Sequence, residues 1–206
     1  MFNKLTHAFA ASVVLAVAAV SSGAAAQSGM TYSDSYSFLQ AVKERDGAKV
    51  QQLIGSSTGS IVINSRDRSN GEGALHYMVR ERDISWLAFL LTNGARPDLQ
   101  SSRGDTALTL AAQIGWLQGA EQLLARRASV DLANGRGETA LIIATQRRDL
   151  AMVRLLLNRR ADPRKADRVA GKSALDYARQ DPRAAVVLKM LEAKVAPPKP
   201  AQGPKL

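Results

Sequence analysis

The sequence of 206 residues contains 28 lysines and arginines against 18 acidic residues, a formal net charge of +10, with 46% hydrophobic residues, no cysteine and two histidines. The length and hydrophobic content predict one or two globular domains, and the positive charge favours an acidic partner or a nucleic acid. The absence of cysteine excludes a disulfide scaffold, a thiolate nucleophile, a Cys-ligated metal and a lipoprotein anchor.

Residues 1–26 have the order of a secretory signal peptide. Lys4 precedes an uncharged apolar run at residues 8–20, and small residues follow up to Ala26, after which we expect cleavage. The run is shorter than the roughly 20 residues of a transmembrane helix, although an uncleaved N-terminal anchor is the alternative. We therefore expect an exported protein with no transmembrane span after cleavage, periplasmic in a Gram-negative host and otherwise secreted. His7 lies in this segment, which leaves His76 as the one histidine of the mature chain.

Residues 27–35 are predicted to be a short linker, and an internal repeat follows it. Each copy has a glycine two residues before a small anchor residue, a leucine two residues after the anchor, and an apolar pair seventeen residues after it. The anchors are Gly73, Thr106, Thr139 and Ser173, so their positions differ by 33, 33 and 34. A period of about 33 residues holding a turn and two short helices is typical of stacked repeat architectures.

This pattern resembles the ankyrin repeat over residues 36–192. The family pattern T-P-L-H-x-A corresponds here to GALHYM, TALTLA, TALIIA and SALDYA, which begin at the four anchors. The resemblance implies an all-α solenoid of stacked helix-turn-helix units with protruding β-turn fingers. The predicted units are 36–60 as an N-terminal cap, 68–100, 101–133, 134–167, and 168–192 as a C-terminal cap, with about four extra loop residues after the first unit.

The anchors have a structural role that their chemistry explains. A threonine or serine hydroxyl at the start of a helix accepts a hydrogen bond from an otherwise unpaired backbone N–H. At the turn between the two helices of a unit the family uses glycine, found here as Gly115, but Arg82 and Arg148 occupy this position in other units. A side chain in that left-handed turn costs about 1 kcal/mol. His76 falls on the histidine of the family pattern, where the resemblance implies a ring that braces neighbouring backbone.

No catalytic or cofactor site is predicted. Residues 166–173 (ADRVAGKS) fit a relaxed phosphate-loop pattern, but no hydrophobic strand precedes them and Gly171 and Ser173 are already the glycine and the anchor of a repeat. One histidine of the mature chain cannot build a metal site or a proton relay with a second imidazole, and no pair of carboxylates stands out by its spacing. We therefore predict no enzyme activity, no cofactor and no metal.

The positive charge is concentrated in the second half of the chain. Residues 27–125 carry 9 basic and 10 acidic side chains, whereas residues 126–206 carry 18 and 8. By repeat register, one set of arginines is predicted to form a row across the fingers and the concave edge: Arg68, Arg103, Arg136, Arg147 and Arg168. Such a row would pair with carboxylates of an acidic protein surface, and an ordinary solvated face is the alternative.

Two apolar residues form a second candidate contact. Ile114 and Trp116 flank the glycine of one helix turn and are expected to make a partly exposed apolar spot on the concave side, unless they pack in the core. The tail of residues 193–206 contains four prolines and is expected to be extended and disordered.

The resemblance implies a non-catalytic protein-protein interaction module. We expect an exported repeat protein that binds an unidentified partner with an acidic surface, as an accessory or protective factor for an envelope enzyme, and that recognises no specific nucleic acid. The alternative is a binder of polyanionic envelope components such as lipid head groups or polysaccharide, driven by the basic residues. The sequence does not define the oligomeric state.

Overall fold

The computed structural model describes residues 23–195, with side chains from residue 34 onward. The predicted apolar run of the signal segment and residues 196–206 of the predicted tail lie outside the described residues. The described part contains eleven α-helices: α1 Gly23–Glu44, α2 Gly47–Ile54, α3 Gly59–Val62, α4 Ala74–Arg80, α5 Ile84–Thr92, α6 Ala107–Ile114, α7 Leu117–Ala125, α8 Ala140–Gln146, α9 Leu150–Asn158, α10 Ala174–Gln180 and α11 Ala185–Val195. The predicted all-α solenoid is confirmed.

The helices form antiparallel pairs that stack along one axis. The first helices of the pairs (α1, α4, α6, α8 and α10) contact one another in chain order and are called inner helices here. The second helices α5, α7, α9 and α11 also contact one another in order and are called outer helices. Leucines at helical spacing, among them Leu108, Leu123, Leu141 and Leu156, are fully buried between the layers and form one continuous core.

The anchors begin the inner helices as their chemistry requires. The hydroxyl of Thr106 accepts a hydrogen bond from the Thr109 N–H at 3.1 Å, and that of Thr139 accepts one from the Ile142 N–H at 3.3 Å. Ser173 accepts from the Asp176 N–H at 3.2 Å in the same way. Each bond satisfies a donor that the first turn of a helix leaves unpaired.

The loops between pairs project as fingers and are joined by a ladder of backbone hydrogen bonds. The N–H groups of Ser102, Gly135 and Arg168 donate to carbonyls of the preceding finger, those of Asn70, Arg103 and Arg136, each at 2.9 Å. Gly104 adopts φ +76°, and a Cβ there would lie 2.4 Å from the Gly135 nitrogen. Glycine is therefore required both by the backbone conformation and by the approach of the next finger.

The turns between inner and outer helices are left-handed, as the repeat register predicts. Arg82, Gly115 and Arg148 have φ values of +54°, +65° and +56°. The two arginines therefore carry a conformational cost of about 1 kcal/mol each that glycine avoids.

The ends of the stack differ from the sequence expectations. The backbone of residues 27–35, predicted as a linker, is part of α1, which is alanine-rich at its start and contains no proline. The extra loop after the first pair holds the short helix α3. α11 continues to Val195, three residues into the predicted tail, because the first proline of the tail is Pro197. Among helices of the described part, none combines the length and apolar character needed to cross a bilayer.

Candidate binding groove at the fingers

An open cavity of about 980 Å³ runs across the four fingers and is called the finger groove here. Its basic lining residues come from four successive loops, and they are Arg66, Arg103, Arg136, Lys165 and Arg168. Its acidic lining residues are Asp105 and Glu138. The groove therefore presents five cationic side chains over two carboxylates.

The two carboxylates form a fixed floor. Asp105 and Glu138 each stand one residue before an inner-helix anchor, and both are buried. The side-chain amide of Asn134 donates to Asp105 Oδ1 at 3.4 Å and to Glu138 Oε2 at 3.0 Å, which links neighbouring repeats. Gln113 Nε2 also donates to Asp105 Oδ1 at 3.2 Å. These bonds keep two negative charges at set positions beneath the finger arginines.

The finger arginines are held only loosely by this floor. Arg103 Nε lies 3.4 Å from Asp105 Oδ2, and Arg136 Nη2 lies 3.5 Å from Glu138 Oε1. The arginine side chains remain 72% and 69% exposed. Exposed ion pairs of this length contribute at most about 1 kcal/mol, so a carboxylate of a partner can replace the internal one. Asp105 and Glu138 thus hold the two guanidinium groups near them and leave most of their N–H donors exposed to a partner.

The remaining basic residues of the predicted row do not all join the groove. Arg168 lines it, and its backbone N–H donates to the Arg136 carbonyl at 2.9 Å. Arg68 is exposed and lines a separate cavity of about 610 Å³ beside α1. Arg147 follows the last residue of α8 as its C-cap, about 10 Å from the finger end of that helix at 1.5 Å per residue. The structure therefore brings Arg103, Arg136 and Arg168 together at the groove and places Arg68 and Arg147 elsewhere. A role of these residues in partner binding stays a prediction.

The predicted apolar spot does not form as expected. Trp116 is only 7% exposed, and its indole covers Gly119, where a Cβ would lie 2.1 Å from Trp116 Cε3. Ile114 is half-buried against the core, and its carbonyl accepts a hydrogen bond from Arg82 Nη2 at 2.6 Å. The missing side chain at Gly119 makes room for the indole, so Trp116 is a core residue and not a surface contact.

His76 connects two repeats through their backbones. Its Nδ1 accepts from the Gly73 N–H at 3.1 Å, and its Nε2 donates to the Asp105 carbonyl at 2.8 Å. Burial lowers the pKa of the ring, so the imidazole is neutral near pH 7. The ring therefore positions Asp105 at the edge of the finger groove while serving as a structural brace.

The segment that resembles a phosphate loop is closed by its own carboxylate. Asp167 Oδ1 accepts hydrogen bonds from the N–H groups of Val169, Ala170 and Gly171 at 2.9, 2.6 and 3.2 Å. These are the donors that a bound phosphate would need. Within the side chains that the structure describes, no three acidic or histidine residues converge as a metal site.

The sequence contained a signal for the groove floor that the pattern of anchors alone does not reveal. An acidic residue precedes three of the four anchors, as Glu72, Asp105 and Glu138, while Lys172 precedes the fourth. Glu72 is also buried and forms an ion pair with Arg80. Buried carboxylates at this repeated position therefore stand at the foot of three of the four fingers.

A comparison with protein-family models supports the repeat architecture. The model described as ankyrin repeats (3 copies) matches residues 75–167 and 115–197 of the chain. Together the two matches cover more than half of the sequence and include every finger that contributes Arg103, Arg136 or Arg168 to the groove.

Proposed function

Because the chain belongs to the ankyrin-repeat family, which forms protein-protein interaction modules, we propose that it binds an acidic partner protein in the finger groove. The observation that carries the proposal is the line of exposed guanidinium groups of Arg103, Arg136 and Arg168 above the buried carboxylates of Asp105 and Glu138. The protein acts without catalysis, as an exported accessory factor for an enzyme of the cell envelope.

The stacked architecture supports tight binding at this groove. The finger ladder and the Asn134 bridge fix the backbones of successive fingers before a partner arrives. Binding then orders mainly the arginine side chains, and a preorganised surface loses less entropy on association than a flexible one. Each guanidinium presents a planar fork of N–H donors that matches a carboxylate in two parallel hydrogen bonds.

The test is affinity capture from an envelope fraction with matched charge variants. Arg103→Glu combined with Arg136→Glu reverses two groove charges. Arg154→Glu combined with Lys189→Glu makes the same change in net charge on exposed positions of the outer helices α9 and α11. We expect wild type and the outer-helix variant to retain one dominant acidic protein, and the groove variant to lose it.

Two results would contradict the proposal. Retention of the partner by the groove variant would exclude the finger arginines from the interface. Equal loss from both variants would indicate a general effect of net charge rather than recognition in the groove. Circular dichroism of each variant checks that the helices are intact, since all four substituted residues are exposed.

A further inference from the structure

Arginine occupies an unusual backbone position throughout this chain. In the described residues, the non-glycine residues with positive φ are all arginines, and they are Arg45, Arg82, Arg127, Arg148 and Arg160. The left-handed region is unfavourable for a residue with a Cβ, and glycine is the residue that avoids this strain. An interaction of the arginine side chain should therefore offset this strain at each position.

Three of the five arginines connect one repeat to the next. They follow the inner helices and reach across the turn to a polar group of the neighbouring repeat. Arg45 Nε donates to Asp83 Oδ2 at 3.1 Å, and Arg148 Nη1 donates to Asp181 Oδ2 at 2.8 Å. Arg82 Nη2 donates to the Ile114 carbonyl at 2.6 Å. Contacts between repeats account for these three residues.

Arg127 and Arg160 are different. They lie at the other end of the helix pairs, directly after the caps of the outer helices α7 and α9, with φ values of +64° and +66°. Both are exposed, and within residues 34–195 their side chains form no hydrogen bond or ion pair. The equivalent position one repeat earlier is Gly94, with φ +92°. The fold therefore accepts glycine at this position, and arginine adds backbone strain there.

Each of these arginines is the second of a pair. Arg126 precedes Arg127, and Arg159 precedes Arg160, so the same doublet recurs at the equivalent position of the adjacent repeat. All four side chains are exposed, and Arg126 Nη2 donates to the hydroxyl of Thr92 at 3.0 Å. Adjacent repeats pack about 10 Å apart, so the doublets lie side by side. We call these four residues the arginine edge.

Three aspartates of the loops next to the arginine edge bond to backbone N–H groups. Asp98 accepts from the Ser129 N–H at 2.8 Å, and Asp131 accepts from the Asp162 N–H at 3.0 Å. Asp162 accepts from the Arg164 N–H at 2.8 Å. These carboxylates cap the loops instead of pairing with the edge. Within residues 34–195 the four guanidinium groups form no ion pair, and their one side-chain hydrogen bond is that of Arg126 to Thr92, so they can bind an external anion.

We propose that the arginine edge binds an anionic phospholipid surface. The four residues line neither the finger groove nor the cavity beside α1. They stand at the exposed ends of two neighbouring helices. An exposed edge of this kind can contact a flat array of phosphate groups. A single extended anionic chain would instead favour a groove, which offers contacts on both sides of the chain. This surface uses none of the residues of the finger groove, so the protein can be held at a membrane while the groove remains open to a protein partner.

The test is co-sedimentation of the full-length chain with vesicles of phosphatidylcholine alone or of phosphatidylcholine in which one lipid in three is replaced by phosphatidylglycerol. Every variant carries the same N-terminal segment, and the zwitterionic vesicles measure the affinity that this segment contributes. We expect the edge to favour the anionic vesicles in a salt-dependent way. Arg127→Gly combined with Arg160→Gly should weaken that binding about 30-fold, since each basic residue near an anionic bilayer contributes about five-fold.

The same double variant separates a binding role from a structural role. Glycine relieves the left-handed strain at both positions, so we expect Tm to rise by about 4 °C while vesicle binding falls. A fall in Tm would overturn the proposal, because it would make the arginines stabilising cations at helix ends.

Further variants and ligands test whether the binding is specific to the arginine edge and to anionic lipid. Arg154→Gln combined with Lys189→Gln removes the same charge elsewhere on the outer helices and should weaken vesicle binding less than five-fold. Unchanged vesicle binding by the edge variant, or a preference of the edge for heparin or polyglutamate over the anionic vesicles, would contradict the proposal. Arg103→Glu combined with Arg136→Glu should leave vesicle binding within two-fold of wild type, which keeps this test independent of the finger groove.

Discussion

Substitution of Gly119 by alanine should destabilise the protein, although alanine is the better helix former. A Cβ at this position in α7 would lie 2.1 Å from Trp116 Cε3 and 2.3 Å from Cζ3, so the buried indole must move. Overpacking of a core costs about 1 to 3 kcal/mol. The gain in helix propensity is at most about 1 kcal/mol. The net loss in free energy of unfolding should therefore be up to about 2 kcal/mol.

The sign of this effect should reverse when the indole is absent. Trp116→Ala alone should cost about 3 to 5 kcal/mol, because it empties a large buried site. In that background, or in the milder Trp116→Leu background, Gly119→Ala meets no ring and should raise the free energy of unfolding by up to about 1 kcal/mol. The assay is urea unfolding followed by far-ultraviolet circular dichroism, with the four members of the cycle compared.

The cycle can refute the packing argument. If Gly119→Ala destabilises the protein equally in the presence and absence of Trp116, the two residues are not coupled. If it stabilises the wild-type chain, the indole does not occupy the space above Gly119. Either result would return Trp116 to the candidate surface contacts.

Three further substitutions test the local chemistry. Thr139→Ala should lower the free energy of unfolding by about 1 kcal/mol in urea titration, because the Ile142 N–H loses its cap at the start of α8; an unchanged midpoint would contradict this. Burial lowers the pKa of His76, so the unfolded state binds more protons and the wild type should lose stability as the pH falls below about 6.5. His76→Gln should therefore show a smaller change in Tm between pH 7 and pH 5. Parallel curves of Tm against pH for the two proteins would contradict this. Hydrogen bonds from Ser69 and Tyr77 hold the pKa of Asp67 below its ordinary 3.8, so the stability that its carboxylate contributes is present above that pH and is lost as the pH falls. The difference in Tm between wild type and Asp67→Asn should therefore narrow from pH 7 to pH 3. A constant difference would contradict this.

The repeat architecture could be predicted from the sequence because its signals are local and recur. Thr106, Thr139 and Ser173 each combine a capping hydroxyl with a leucine two residues later, and the nearly constant spacing of these anchors gives the stacking order. The arginines at the left-handed turns could also be predicted, since Arg82 and Arg148 align with Gly115. Their partners in the next repeat could not, because side-chain reach across a turn depends on the rotation between repeats.

The candidate site was only partly predictable for the same reason. Arg103 and Arg136 occupy equal positions in adjacent fingers, so register alone places them together. Arg147 lies away from the finger groove, since the register gives its position along α8 but not its distance from the fingers. The sequence left Trp116 open between a surface contact and a core residue, because its burial depends on the empty space above Gly119 three residues later. The role of Asn134 depends on contacts with two repeats at once, which no pattern within one repeat contains.

The most direct measurement of the central claim is site-specific photo-crosslinking in the cell envelope. A crosslinking amino acid at Ser102, exposed in the finger groove, is compared with the same amino acid at Ala151, exposed on the outer helix α9. Binding in the finger groove predicts one dominant crosslinked acidic protein from position 102, its loss when Arg103 and Arg136 are changed to glutamate, and no such product from position 151. A product from position 151 but not from position 102 would show that the partner contacts the outer helices, and it would contradict binding in the groove.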